Sequence, residues 1–265
     1  MNNENKQIIT QVISVALDRA ERHWKNGGFR IVTGNQEYAR EDSVSEGMAM
    51  DKAVSSEIPG HPWVSSDETI ISEFVAFVAD MRDSTKHLMN AISGKTSDVS
   101  QLQRVFYETS ALLPALAKTV EFEGGQVTEY LGDGVLAFFL VDETNKKEAM
   151  YKARHAALDT IGDMRNILNE TLYERYSLPP LDLGVGLAMS KAIVSLIGLP
   201  SYPQPKAFGE CVFRATKMSS GRNEVVIDER MWECWPTSKN GQLRFQRKVF
   251  GDGDKKVSGY LMNSK

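Results

Sequence analysis

Apolar positions at Ile8, Val12, Val15, Ala16 and Ala20 recur at helical spacing and predict an amphipathic helix over residues 6–24. Residues 25–66 lose that rhythm. They are polar, rich in Gly, Ser and Glu, carry Pro59 and Pro62, and read as a long irregular connector. Regular patterning returns at Glu73. The run Phe74-Val-Ala-Phe-Val-Ala79 has no polar alternation, as expected of a buried strand, and it ends on Asp80. A short helix is predicted over 84–93 with Asp83 or Ser84 as its cap, and a long one over 99–123. Gly124-Gly125 closes the long helix, and Pro114 is expected to kink or break it. Residues 126–131 and 135–141 form two strands around Gly132-Asp133-Gly134, a hairpin signal. A further long helix covers 143–176, stopped by Pro179-Pro180. Strands are predicted at 181–189 and 192–197, a helix at 208–220, a strand at 224–228, a helical turn at 230–234, and closing strands at 243–250 and 256–262. This order is a ferredoxin-like α+β layout: a mainly antiparallel sheet with helices on one face. It divides the chain into an N-terminal helix and connector, 1–66, and one domain, 67–265.

Composition narrows the classes. The 265 residues are 42% hydrophobic and 25% charged, as in an ordinary globular protein, with a net charge of -4. That balance argues against a general binder of nucleic acid or of an anionic membrane. Cys211 and Cys234 lie too far apart for a Cys-x-x-Cys pair, and His23, His61, His87 and His155 are scattered, so a structural zinc site is not expected. The apolar runs are shorter than a membrane span, and the polar start Met1-Asn-Asn-Glu-Asn-Lys6 lacks a secretory core. The expectation is a reduced, cytoplasmic protein.

Two acidic residues carry the candidate chemistry. Asp80 follows directly on a strand so apolar that its carboxylate needs a partner. Asp133 stands at a hairpin tip, where Gly-Asp-Gly is also ordinary turn chemistry. If the two strands are neighbours, two hard oxygen donors meet, a set suited to Mg²⁺ or Mn²⁺ beside substrate phosphates.

These residues resemble a family. Phe77-Val-Ala-Asp80-Met-Arg-Asp-Ser-Thr85 is similar to the first metal motif of class III nucleotide cyclases, and Tyr130-Leu-Gly-Asp-Gly-Val-Leu-Ala-Phe138 to the second. Gly184-Val-Gly-Leu187 stands at the family's Gly-rich strand start, and Phe208-Gly-Glu-Cys-Val-Phe-Arg-Ala-Thr-Lys-Met218 at its helix of transition-state residues. The resemblance spans about residues 70–262, in the family's order. It implies a class III cyclase catalytic domain using two divalent cations, Mn²⁺ or Mg²⁺, held by Asp80, Asp133 and the backbone carbonyl of Met81. The reaction would be in-line attack of a ribose 3′-hydroxyl on the α-phosphate, a step two metal ions stabilise at both the attacking and leaving oxygens. Backbone N–H groups of Met81, Arg82, Asp83, Ser84 and Thr85 would cradle the β- and γ-phosphates. Asp83 replaces a glycine frequent in the family. Lys217 replaces an arginine, keeping the charge without the bidentate fork. Phe213 stands where an asparagine orients the ribose, and Arg214 is the nearest substitute. Arg214 and Lys217 fit a solvated helix face equally well. Lys255 and Lys256 are candidates for the triphosphate tail, and also fit a plain hairpin loop.

The positions that read the base are Glu129 and Lys206, a pair matching neither the adenylate nor the guanylate pattern. They could form a salt bridge across the pocket, and Tyr130 could narrow it. The chain in this respect resembles the pyrimidine cyclases of the bacterial Pycsar anti-phage system. That implies UTP ahead of CTP as substrate, cyclic UMP or cyclic CMP as product, and a separate cyclic-nucleotide-responsive effector. It also implies a homodimer with shared active sites. Two alternatives stay open: an adenylate or guanylate cyclase with an atypical pocket, and a non-catalytic nucleotide-binding module.

Overall fold

A computed structural model describes residues 1–26, 53–85, 99–237, 241–251, 253 and 256–264. Most of the predicted 84–93 helix, much of the 25–66 connector, and Lys255 lie outside the described residues; Ser84 and Thr85 themselves are helical. The elements are α1 (Asn3–Lys25), β1 (Val54–Ile58), β2 (His61–Val64), β3 (Ile70–Met81), α2 (Gln101–Phe122), β4 (Gln126–Tyr130) and β5 (Gly134–Leu140). There follow α3 (Lys146–Asp159), a π-helical turn (Thr160–Met164), α4 (Arg165–Tyr176), β6 (Leu183–Leu199), β7 (Tyr202–Gly209), α5 (Glu210–Met218), β8 (Glu224–Asp228), α6 (Glu229–Cys234), β9 (Leu243–Phe250) and β10 (Val257–Ser264).

The large sheet runs β4-β5-β3-β6-β8-β10-β9, with β7 also on β6. All pairings are antiparallel except β6 with β8. β3 is central, and Phe74 through Ala79 are buried on both faces. Val75, Phe77 and Ala79 face a core shared with α1, α2, α3 and α4. Phe74, Ala76 and Val78 face a second core shared with Cys211, Ala215 and Met218 of α5 and with Ile58 and Val64 of the β1–β2 hairpin. The expected α+β sheet with its large helices on one face is thus present, and the opposite face is covered by one short helix and a hairpin. The predicted first helix docks on the domain, but by a face one residue on from the expected one: Ile9, Ile13, Leu17 and Ala20 are buried against α2, α4 and the π turn, whereas Val15 is exposed.

Four further details depart from the sequence expectations. The end of the supposed irregular connector is the β1–β2 hairpin, turned at Pro59-Gly60 with Gly60 at φ 80°. α2 runs unbroken through Pro114, because Ala111, Leu112, Ala115 and Leu116 on either side are all buried and hold the helix to the core. The helix predicted over 143–176 is split by the π turn, where Gly162 leaves helical geometry. Its buried positions recur every four residues from Thr160 to Tyr176, a drift beyond the 3.6-residue period that a wider turn absorbs. β6 is one strand where two were predicted. Ser190 and Lys191 do not interrupt it, since the Ser190 hydroxyl accepts from the Cys211 N–H at 2.9 Å. Its first half pairs with β8 and its second half with β7, an edge strand that tolerates Pro203 and Pro205.

Gly184 and Gly186 bring α5 down on β6. A Cβ at Gly186 would collide with the Ala215 carbonyl, and one at Gly184 with the carbonyls of Ser219 and Gly221. Because those neighbours are backbone, α5 would have to move. Gly186→Ala is expected to lower stability by about 1–3 kcal/mol, read by chemical denaturation, and unchanged stability would show that α5 does not depend on this contact.

Candidate functional site

β3 carries Asp80 to a position flanked by two glycines, with Gly134 opposite on β5 and Gly184 opposite on β6. The glycines are forced by close approach, since a Cβ at Gly134 would collide with the Ala79 carbonyl. The β4–β5 turn closes with Gly132 at φ 87° and a 2.8 Å hydrogen bond from the Leu131 N–H to the Gly134 carbonyl. It is stitched to β3 by the Met81 N–H, which donates to the Asp133 carbonyl at 3.2 Å.

The structure therefore brings Asp80 and Asp133 together, from residues 53 apart in the chain. The Asp80 carboxyl is pushed above its ordinary range, first by burial and then by the neighbouring Asp133; the Arg82 guanidinium acts the other way. Arg82 is ion-paired with Asp80, and its Nε is buried without a hydrogen-bond partner among the described residues. Two crowded carboxylates, one of them half-buried and disfavoured as an anion, are the donors a divalent cation satisfies. Among the described residues no group of three or more His, Cys, Asp or Glu side chains is placed to hold a metal ion. The candidate metal centre thus offers two carboxylates, hard oxygen donors of the kind that Mg²⁺ and Mn²⁺ take alongside phosphate and water.

The loop after β3 differs from the expectation in one respect. The N–H groups of Met81 and Arg82 are already donated inside the protein, to the carbonyls of Asp133 and Asp182. They are spent on fixing the loop, so an anion cradle begins beyond Arg82. Asp83 has φ 58°, the left-handed conformation that glycine adopts without cost. Its carboxylate is ion-paired with Arg222, whose guanidinium also reaches Asp182. Beside this loop a cavity of about 380 Å³ is lined by Met81, Ser84, Val105, Glu108, Thr109, Gly132 and Asp133.

Glu129 on β4 and Lys206 on β7 form the salt bridge that their sequence positions allowed, at 3.1 Å. Tyr130 beside them is exposed. On α5, Arg214 is paired with Glu210 at 2.6 Å, and the Lys217 ammonium lies 5.7 Å from the centre of the Phe213 ring. Among the described residues neither cation forms an ion pair with Asp80 or Asp133. One chain thus brings together Asp80, Asp133 and the 81–85 loop, and pairs Glu129 with Lys206, while Arg214 and Lys217 stand on α5. Lys256, described, makes no ion pair among the described residues.

Sequence reasoning missed Arg104, Glu108, Asp182 and Arg222. Arg104 and Glu108 form a buried pair at 2.8 Å whose carboxylate lines the cavity, and burial pushes the Glu108 carboxyl up. Their signal was an oppositely charged i, i+4 pair on the apolar stripe of α2. Asp182 and Arg222 had no local signal, since only tertiary structure joins them.

No protein-family model matches the chain. An adenylate cyclase of Anabaena cylindrica is 24% identical over 131 residues, which is 48% of this chain; the chain spans about a quarter of that relative's length. The guanylyl cyclase Cya2 superposes with a TM-score of 0.58 at 16% identity, covering 74% of this chain and 93% of that one. The adenylyl cyclase CyaB from P. aeruginosa superposes with a TM-score of 0.59 at 17% identity, covering 75% and 97%. The fold is that of a class III cyclase catalytic domain.

The crowding at Asp80 generates a prediction. Its raised carboxyl means that the folded protein favours the neutral group, so the ionised form costs stability once pH rises above the unfolded value near 3.8. Asp80→Asn at pH 7 should leave the metal-free melting temperature unchanged or raised, and should abolish the rise that Mn²⁺ gives the parent. An equal Mn²⁺ effect in both proteins would remove Asp80 from the metal centre.

Proposed function

We propose that this chain is a nucleotide cyclase converting a pyrimidine nucleoside triphosphate, UTP ahead of CTP, to its 3′,5′-cyclic nucleotide and pyrophosphate. The observation that supports it most is the meeting of Asp80 and Asp133 at the joined ends of β3 and the β4–β5 turn, on a cyclase fold. Asp80, Asp133 and the Met81 carbonyl would hold two divalent cations, Mn²⁺ or Mg²⁺. When bound, these supply a lowered pKa for the ribose hydroxyl and charge neutralisation for the leaving pyrophosphate. The protein's own part is orientation. The Met81 and Arg82 N–H bonds tie the loop to the β4–β5 turn and to Asp182 at the entry to β6, and the N–H groups of Ser84 and Thr85 are the candidate donors to phosphate. Glu129 and Lys206 present one acceptor and one donor to the base, and Tyr130 adds an aromatic wall.

That Arg214 and Lys217 form no ion pair with Asp80 or Asp133 of their own chain among the described residues supports a homodimer with shared sites, as the resemblance implies. Asp80 and Asp133 of one subunit would face Arg214, Lys217, Glu129 and Lys206 of the other. Tyr130, Leu199, Tyr202, Phe208 and Phe213 are exposed large apolar side chains, which suits burial against another copy. A cytoplasmic enzyme whose product drives a separate effector in anti-phage defence completes the proposal, on the resemblance to the Pycsar cyclases. No helix among the described residues is long and apolar enough to cross a membrane. The adenylyl and guanylyl cyclases among the structural relatives keep a purine substrate as the second reading.

Asp80→Ala and Asp133→Ala should each cut turnover by roughly a hundredfold or more while the thermal transition is retained. Mixing Asp80→Ala with Lys217→Ala tests the shared site. Random reassortment leaves one intact site in the mixed dimer, so about a quarter of parental activity should return. Full turnover in either aspartate variant would remove that residue from the catalytic centre, no turnover in the parent would favour a non-catalytic module, and no recovery on mixing would contradict shared sites.

A further inference from the structure

A carboxylate inside a loop that meets phosphates is unfavourable unless something turns it away and cancels its charge. Asp83 is such a carboxylate, and the structure surrounds it with a built network. One terminal nitrogen of the Arg222 guanidinium meets Asp83 and the other meets Asp182. Asp182 is fixed in turn: its carboxylate accepts from Arg165 at 3.2 Å and from the Asn223 amide at 2.7 Å, and its carbonyl accepts from the Arg82 N–H at 2.8 Å. The Asn223 side-chain oxygen accepts from the Leu183 N–H at 3.1 Å, locking the turn after α5 to the start of β6. Arg222 is thus a fork between the 81–85 loop and the β6 entry, held on a turn that is itself anchored.

We propose that Arg222 is a positioning residue for a polyphosphate site at the 81–85 loop. By pairing with the Asp83 carboxylate and cancelling its charge, Arg222 allows an aspartate to occupy a left-handed position at an anion-binding loop. The planar fork matters, because two carboxylates on two elements are bridged by one rigid group, which a lysine does with a single point charge. The identity of the ligand rests on the cyclase proposal; the clamp itself does not.

The test is calorimetric binding of inorganic tripolyphosphate with Mn²⁺ to the full chain, with UTP turnover measured in parallel and melting temperature as the folding control. Arg222→Ala should weaken binding about tenfold, the effect of removing one positive charge near the ligand. Adding Asp83→Asn removes the carboxylate with a residue that tolerates the left-handed backbone, and should restore binding to within about threefold of the parent. Adding Asp182→Asn instead restores the same net charge but leaves Asp83 exposed to the ligand, and binding should stay weak. Arg222→Lys, with the charge kept, should fall between the parent and the alanine variant even if alanine compromises folding. The proposal is overturned by parental binding in Arg222→Ala, by equal recovery in the two double variants, or by a parent that binds no tripolyphosphate. A parent that binds it but cyclises no nucleotide contradicts the cyclase reading alone.

Discussion

Everything at the candidate site depends on one close backbone approach. The end of β3 is gripped between Gly134 and Gly184, and the Met81 N–H is donated to the Asp133 carbonyl. A side chain at Gly134 would drive the β4–β5 turn off β3 and separate the two aspartates; one at Gly184 would lift the turn that carries Arg222. The glycines are therefore what allows carboxylates on different elements to converge. The apolar run before Asp80 fixes the strand in the centre of the sheet, so its last residue cannot retreat into solvent as a surface aspartate would.

Convergence has an electrostatic consequence. Four carboxylates, Asp80, Asp83, Asp133 and Asp182, gather around one loop, and three guanidinium groups, Arg82, Arg165 and Arg222, are paired among them. The pairing is uneven. Asp83 and Asp182 are satisfied by arginines on neighbouring elements, whereas Asp80 remains raised by burial and by Asp133 despite Arg82. The residual negative charge is thus concentrated where a cation would bind, and neutralised where a phosphate would approach. That division separates a metal-binding end from an anion-binding end within a few residues of chain. It is the distribution expected of a site that must hold a metal and a triphosphate together.

Much of this was legible in the sequence, for identifiable reasons. Asp80 was visible because a charge directly after six apolar strand residues has few structural uses. The β4–β5 hairpin was visible because Gly-Asp-Gly between two apolar runs has few alternatives, and the Glu129–Lys206 bridge followed once a cyclase-like layout was assumed. Other features were invisible because their causes are tertiary. Pro203 and Pro205 argue against a strand until β7 is seen at an edge. Pro114 predicts a break until the buried residues around it hold α2 straight. The π turn reflects the phase of α3 and α4 against the sheet. The Arg222 fork joins three segments with no shared local pattern, so no reading of periodicity or spacing could assemble it.

The most direct measurement is product identity by mass spectrometry after incubating purified protein with Mn²⁺ and each of the four nucleoside triphosphates separately. The account predicts a 3′,5′-cyclic pyrimidine nucleotide, cyclic UMP foremost, with pyrophosphate in equal amount. Cyclic AMP or cyclic GMP as the sole product would contradict the reading of Glu129, Tyr130 and Lys206. No cyclic product from any of the four, with folded dimer confirmed, would contradict the assignment of catalysis to Asp80 and Asp133.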